Sequence, residues 1–333
     1  SFPAVAYLRR PALWGALVHR YRATHIGAPD FGYRLFTRHT TADQRSGWDF
    51  SSLVAAICAA EPIRVRTIDA FTHAFIGSGM RPEAFCPSYG LAEHTVAVTL
   101  FGRRRFKVAP DGTGEPKELV GCGRIAEDVD LRIVDPDSGT PVEKGMPGEI
   151  WIDSPSKAAG YFGRPEESAT KFSGRIGGSD RNWLRSGDIG MVLGNAGSEE
   201  LVVLGRIDDR ITFRGRNLYP QDAEAIVAEA DERVRPGRVI AFGAPVEGES
   251  EDADFVVLLE TKEGYNREED FRAVSEAART LLLQELSLPH PVLVFVPRGT
   301  LPKTSSGKLQ RSKARAEWLA GNYPVLHTDR GVR

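Results

Sequence analysis

Gly205-Arg206-Ile207-Asp208-Asp209, followed by Arg214-Gly215-Arg216-Asn217-Leu218-Tyr219-Pro220-Gln221-Asp222-Ala223-Glu224, is the stretch on which the reading of this chain turns. Glycines and short polar residues gather there, and such residues absorb large backbone rotations at a junction between domains. The sequence changes character around it. From about Val129, short β-prone runs lie between Gly, Pro and Asp turns: Asp130–Asp135, Glu149–Asp153, Glu200–Leu204 and Arg210–Phe213. From Gln221 onward the pattern is α+β, with a helix over Gln221–Ala230, strands at Arg238–Phe242 and Phe255–Glu260, a long helix over Glu268–Leu286 and a strand at Pro291–Val296. A domain boundary is expected near Gly205–Asp209, separating 1–206 from 207–333.

The first third mixes helical and short apolar segments. Ala12–His25 reads as a helix with Leu13, Leu17, Val18 and Tyr21 on one face, and Ser51–Ala60 as a further segment after a helix-cap signal at Asp49. A length of 333 residues gives room for about two domains. Hydrophobic content of 41% and charged content of 26% belong to an ordinary soluble globular protein. A net charge of -2 excludes a strong pull toward nucleic acid or an anionic membrane. No apolar run approaches the ~20 residues of a membrane span, and no signal peptide is visible. Cys58, Cys86 and Cys122 lack metal or CxxC spacing and read as buried thiols of a reducing, cytoplasmic compartment. The chain opens on Ser1 rather than Met, which reads as a portion of something longer.

Several strings carry chemistry. In Pro87-Ser88-Tyr89-Gly90-Leu91-Ala92-Glu93, an aromatic followed by Gly lets ring and backbone approach a flat ligand, and the Glu four residues on can reach a divalent cation beside phosphates. The plainer reading is a helix start with a core Tyr and a surface Glu. In Trp183-Leu184-Arg185-Ser186-Gly187-Asp188, a carboxylate behind a Gly turn can accept two hydrogen bonds from vicinal hydroxyls, or be an ordinary turn Asp. Near the C-terminus, Leu301-Pro302-Lys303-Thr304-Ser305-Ser306-Gly307-Lys308-Leu309 puts a lysine where a loop can carry it to a carboxylate or phosphate, or leave it solvated. It is not a Walker A loop: Gly299 is too far upstream and Leu309 replaces the Ser/Thr.

Together these strings resemble the adenylate-forming superfamily of acyl-CoA synthetases, peptide-synthetase adenylation domains and luciferases. The extended string from Pro87 to Thr99 and the Asn217–Asp222 string are most similar to its fatty acyl-AMP ligase branch. Tyr7–Pro11, Tyr21–His25, Gly27–Tyr33 and Ala60–Pro62 match that branch in order and spacing. The resemblance implies an α/β fold: the C-terminal portion of a large N-domain, with αβ layers and a small β-barrel-like subdomain from about residue 125, then a small mobile α+β domain.

It further implies ATP-dependent conversion of a fatty acid to an acyl-adenylate, with Mg²⁺, and transfer to the phosphopantetheine of an acyl carrier protein. By resemblance Tyr89 stacks the adenine, with Ala60, Glu61, Pro62, Ser88 and Gly90 around the nucleotide. Asp188 and Arg206 hold the ribose, Glu93 helps place the metal, and Pro29, Phe31 and Tyr33 line the acyl pocket. Asp208 is the hinge and Lys308 the catalytic lysine. The core-aromatic alternative stays open for Phe31 and Tyr33, a solvated turn for Asp208 and Asp209, and a structural or surface role for His94.

Departures from the family pattern leave other readings open. Ala59 stands where the family has Gly, and Ser186 where it has Thr. The Ser/Thr/Gly-rich phosphate loop has no counterpart here, which implies either a portion of a larger enzyme, with the missing N-terminal part as a preceding stretch or a separate or cleaved chain, or a shortened paralogue with altered activity; the portion is the favoured reading. Leu100–Gly121 is short and basic (Arg103, Arg104, Arg105, Lys107), where the branch carries a longer insertion that disfavours CoA; the basic run reads as a solvated loop. The alternatives are therefore a fatty acyl-CoA ligase and a catalytically silent module that binds acyl-adenylates.

Overall fold

A computed structural model of the chain describes residues 4–109, 116–177, 180–213, 216–245, 253–304 and 309–331. It divides into two compact units, Ser1–Ile207 and Asp208–Arg333. The first unit opens with helices α1 (Ala4–Arg9) and α2 (Ala12–Tyr21) and continues into a parallel sheet of β1 (His25–Ala28), β2 (Ala55–Cys58) and β3 (Phe85–Pro87), in that order. Parallel neighbours need crossovers. These carry α3 (Asp30–Arg38) and α4 (Ala42–Ser46) after β1, and α5 (Val65–Phe75) after β2. The core beneath is aromatic, with Tyr33, Phe36, Phe50, Phe71 and Phe75 at most 1% exposed.

Two expectations fail in this part. The first helix stops at Tyr21, because Arg22 takes a left-handed conformation (φ 47°) and the chain turns into β1. Its inward face is Trp14, Gly15 and Val18, with Tyr21 left 68% exposed. Trp48 packs so closely on Gly15 that a Cβ there would lie 2.3 Å from the indole, and that contact fixes which face turns inward. The segment after Asp49 is a turn leading to β2, not a helix: the Asp49 carboxylate accepts from the Ser51 amide at 2.9 Å.

Antiparallel strands fill the rest of the unit. After β4 (Tyr89–Gly90) and β5 (Ala97–Leu100) comes a hairpin of β6 (Arg105–Val108) and β7 (Lys117–Val120); β8 (Arg124–Ile125) then joins β5. Next, β9 (Asp130–Val134), β10 (Gly148–Asp153), β11 (Leu184–Leu193) and β12 (Glu200–Arg206) form a meander, with α6 (Pro165–Phe172) before β11. Among the described residues the expected barrel-like part is thus a set of small open sheets, linked by a bridge between Gly121 and Val202.

The second unit holds the hairpin β13 (Ile211–Phe213) and β14 (Arg216–Leu218), then α7 (Pro220–Ala230), which starts on a proline as first helical turns favour. A sheet follows in the order β15 (Val234–Pro245), β16 (Ala253–Thr261), β17 (Val292–Phe295), β18 (His327–Asp329), with α8 (Glu268–Leu286) crossing between β16 and β17. Phe271, Val274, Ala278 and Leu282 form the buried stripe of α8 at helical spacing. The last helix is α9 (Arg311–Leu319).

Candidate active site

Three of the candidate segments meet at one edge of the parallel sheet. β1 leads into Pro29, β2 into Ala59–Pro62 and β3 into Ser88 and Tyr89, so all lie at carboxyl ends of strands, where open α/β sheets bind ligands. The Ser88 amide donates to the Cys58 carbonyl at 2.9 Å. The Phe31 amide donates to Glu61 Oε1 at 2.6 Å, which joins an acyl-pocket candidate to an adenine candidate. Burial pushes the Glu61 carboxyl above its ordinary value, and the Phe31 amide only partly offsets this. Beside it, Asp30 is 1% exposed and accepts from Arg34 Nε at 2.9 Å and from the Arg64 amide at 3.2 Å. Ala60 has φ +72°, a strained conformation for a residue with a Cβ.

One of these candidates is placed differently from the expectation. Tyr33 is fully buried, its hydroxyl donating to the Ile57 carbonyl at 2.8 Å and its ring packed against Trp14, Phe71 and Phe85. It is a core aromatic, and only Pro29 and Phe31 of that trio present surface. Gly90 also has an internal reason to be small: a Cβ there would lie 1.6 Å from the Val96 carbonyl oxygen, so the approach of β5 leaves no room for a side chain.

Tyr89 is 9% exposed and its hydroxyl donates to Asp188 Oδ2 at 2.7 Å. The other oxygen, Oδ1, stands 3.5 Å from Arg206 Nε, because Asp188 and Arg206 are direct partners across β11 and β12. Asp188 lies in a strand and not in an open turn. The β10–β11 ladder pairs Trp151 with Arg185 but Glu149 with Ile189, so Ser186, Gly187 and Asp188 bulge out, with Gly187 at φ +76°.

Glu149, 2% exposed, fixes that bulge. Its Oε1 accepts from the Gly187 amide at 3.0 Å, and its Oε2 accepts from Trp151 Nε1 at 2.8 Å and from Arg185 Nε and Nη2 at 3.1 and 3.0 Å. Lys171 Nζ, from α6, donates to the Ser186 carbonyl at 3.2 Å, and the Asp188 amide donates to Ser186 Oγ at 3.0 Å. Burial pushes the Asp188 carboxyl above its usual range; the Tyr89 hydroxyl, Arg206 and Lys171 pull it back, and the nearby Glu93 charge raises it.

Glu93 accepts from the Tyr161 hydroxyl at 2.6 Å, and burial together with that carboxylate pushes the phenol up to about 12. His94 is buried with Nε2 2.5 Å from Ser154 Oγ, and burial lowers its pKa; it ties the turn to the loop after β10. Among the described residues no group of three or more His, Cys, Asp or Glu could hold a metal ion. A single carboxylate of this kind suits Mg²⁺ that arrives on phosphate oxygens, since Mg²⁺ keeps most of its waters and needs one or two protein carboxylates.

Glu149, Lys171 and Tyr161 were not singled out from the sequence. Glu149 did leave a signal, as the acidic residue next to the apolar Ile150-Trp151-Ile152 of a buried strand. The basic run read as a solvated loop is exposed at Arg103, Arg104, Arg105 and Lys107, with its backbone held: the Arg103 and Arg104 amides donate to Glu200, Arg103 Nη1 reaches the Phe85 carbonyl at 3.1 Å, and Arg105 pairs with Asp69. Asp208 is exposed at the start of the second unit. Asp209, read as a solvated turn, is ion-paired to Arg311, which also binds Glu224 at 2.9 Å. Lys308 lies outside the described residues, as does the Arg214-Gly215 pair. The three thiols are free and buried, and burial pushes that of Cys122 to about 12. No helix among the described residues is long and apolar enough to cross a membrane.

Residues 2–162 match the family described as AMP-binding enzyme. It is 33% identical over 336 residues to the medium-chain-fatty-acid–[acyl-carrier-protein] ligase JamA of Moorena producens, covering 95% of this chain and 56% of that protein. It is also 33% identical over 338 residues to a putative acyl-CoA synthetase of Caulobacter vibrioides, covering 96% and 56%. A solved structure from work on the fatty acyl-adenylate ligases of E. coli and L. pneumophila superposes with a TM-score of 0.79 at 27% identity, covering 95% of this chain and 56% of that one. The α/β fold is thus that of the adenylate-forming enzymes, and the chain spans about half the length of the curated relatives it matches.

Proposed function

We propose that this chain serves the ATP-dependent activation of a fatty acid to its acyl-adenylate, with the site centred on Tyr89, Asp188 and Arg206. The observation that carries the reading is the carboxylate of Asp188, held between a tyrosine hydroxyl at 2.7 Å and an arginine at 3.5 Å on a pinned bulge. A carboxylate so placed accepts hydrogen bonds from both hydroxyls of a ribose, and an adjoining aromatic ring offers a face to a purine. Glu93 lies within electrostatic reach of Asp188 and suits the phosphate-borne Mg²⁺.

In the reaction a carboxylate oxygen of the fatty acid forms a bond to the α-phosphorus, and the bond from that phosphorus to the bridging oxygen breaks, releasing pyrophosphate. This chain contributes positioning and charge stabilisation. Lys308 is assigned the neutralisation of the developing negative charge, and Asp208 the hinge, on the motif resemblance. The acyl group then passes to a thiol, whose sulfur bonds to the carbonyl carbon while AMP leaves and the thiol proton goes to solvent. The relative named as an acyl-carrier-protein ligase supports a carrier-bound phosphopantetheine as that thiol.

The relative named as an acyl-CoA synthetase and the short Leu100–Gly121 stretch support CoA as the rival acceptor. Calorimetric binding of a non-hydrolysable fatty acyl-adenylate, compared with Asp188→Ala, tests the site. Equal affinity of the two proteins sinks the reading. Fatty-acid-dependent ATP–pyrophosphate exchange tests the activity, and parallel acceptor assays with CoA and holo carrier protein decide the thiol.

A further inference from the structure

The β15–β16 ladder pairs Val234 with Thr261 and Val239 with Leu259, so Arg235-Pro236-Gly237-Arg238 loops out opposite the single residue Glu260. Gly237, at φ +65° with open space where a Cβ would be, makes that turn. Glu260 is fully buried. Its Oε2 accepts from Arg235 Nη1 at 2.6 Å, and Oε1 lies 3.8 Å from Arg238 Nη1. The same Oε1 accepts from the Leu301 amide at 3.2 Å, which anchors the segment bearing Lys303. Two guanidiniums therefore meet one carboxylate, Lys303 lies within electrostatic reach of all three, and no ion pair among the described residues includes Lys303.

We propose that Arg235, Arg238 and Lys303 form a phosphate-binding site on the second unit, built for the phosphate of a phosphate ester. The arginine side chains are 29% and 19% exposed and Lys303 is exposed, so the cluster is open to solvent on one side and held from beneath by Glu260 on the other. Burial and the charges of Arg238 and Arg235 all disfavour the Lys303 ammonium, and Glu260 alone favours it. Uncompensated like charges at a half-buried place are unfavourable, and an arriving anion relieves them. A guanidinium presents five N–H donors, of which Glu260 engages few, and its planar fork matches phosphate oxygens while lysine adds a point charge. The strand bulge and the buried carboxylate hold the donors in place before the ligand arrives. The inference is independent of the acyl-adenylate reading, because every residue it uses lies in the second unit.

The test is calorimetric titration of the chain, at low salt, with sodium phosphate and with pantetheine 4′-phosphate. Lys303→Ala is expected to weaken the phosphate affinity about tenfold, as loss of one charge-assisted contact does. Glu260→Gln keeps an acceptor for Leu301 but removes the competing negative charge, and is expected to tighten binding. Arg238→Ala, whose arginine is the looser partner of Glu260, repeats the loss should Glu260→Gln fail to fold. Equal affinity for the two ligands supports free phosphate as the occupant; a preference for the second supports a pantetheine arm. Affinity unchanged in both Lys303→Ala and Arg238→Ala, with circular dichroism like the parent, overturns the proposal.

Discussion

Glu149 in the first unit and Glu260 in the second are 2% and 0% exposed, and each lies beside a neighbouring strand that slips register and bulges. In both cases the carboxylate collects donors from the bulge. The surroundings differ in charge. Glu149 meets one guanidinium, an indole N–H and a backbone amide, so its negative charge is matched locally by one cation. What the arrangement delivers is geometry, namely the position of Asp188. Glu260 faces two guanidiniums and an ammonium, so positive charge is left over at the surface. The same backbone device thus sets up a carboxylate for hydroxyl recognition in one unit and an electropositive face in the other. The deciding variable is the number of cations the loop supplies.

The largest effect is expected from removing either carboxylate. Glu149→Ala strands Arg185, the Gly187 amide and the Trp151 indole without their acceptor, and Glu260→Ala strands Arg235 and the Leu301 amide. Each should cost about 3 kcal/mol or more in denaturant unfolding. If the comparison holds, only Glu149→Ala also weakens adenylate binding; loss of it in Glu260→Ala breaks the contrast.

Next comes the carboxylate that Glu149 positions. Asp188→Ala should weaken AMP or acyl-adenylate binding by about 1.5–3 kcal/mol, read by calorimetry. Because burial raises the Asp188 carboxyl, the folded state holds a proton above about pH 3.9 that the unfolded state has lost. This group's contribution to stability therefore falls as pH climbs through that window. Nucleotide affinity should move the opposite way, dropping as pH falls through the raised value and the acceptor becomes protonated. Carbon-13 NMR of the carboxyl checks the direction, and titration below the ordinary aspartate value would refute it.

Tyr89→Phe sharpens the same point. It removes a hydrogen bond worth about 1 kcal/mol and should raise the Asp188 titration further, since that hydroxyl lowers it. The smallest change expected is a gain. Ala60→Gly relieves a positive φ and should stabilise by about 1 kcal/mol in thermal unfolding, with no loss of adenylate binding.

Much of the fold was legible because its signals are local. The long helix over Glu268–Leu286 follows from apolar spacing, and the runs at Asp130–Val134, Glu149–Asp153 and Phe255–Glu260 are strands because short stretches of β-prone residues between turns mark them. The helix drawn through to His25 overran because a left-handed Arg22 leaves no mark in composition. Of the candidate site, motif resemblance could name Tyr89, Asp188 and Arg206. It could not show that Tyr89 and Asp188, 99 positions apart, share a hydrogen bond, nor that Tyr33 sits inside the aromatic core.

By itself the sequence determined the α/β class, the switch to α+β character from Gln221 onward, the family resemblance and the chemistry available at each motif. Those depend on residue type and short spacing, which are written along the chain. Tertiary structure alone decided the convergence of three loops at one sheet edge, the bulge that aims Asp188, and the unequal charge around Glu149 and Glu260. Such outcomes arise from strand register and from which buried carboxylate finds which donors, and a one-residue slip in pairing would rearrange them while leaving every motif unchanged.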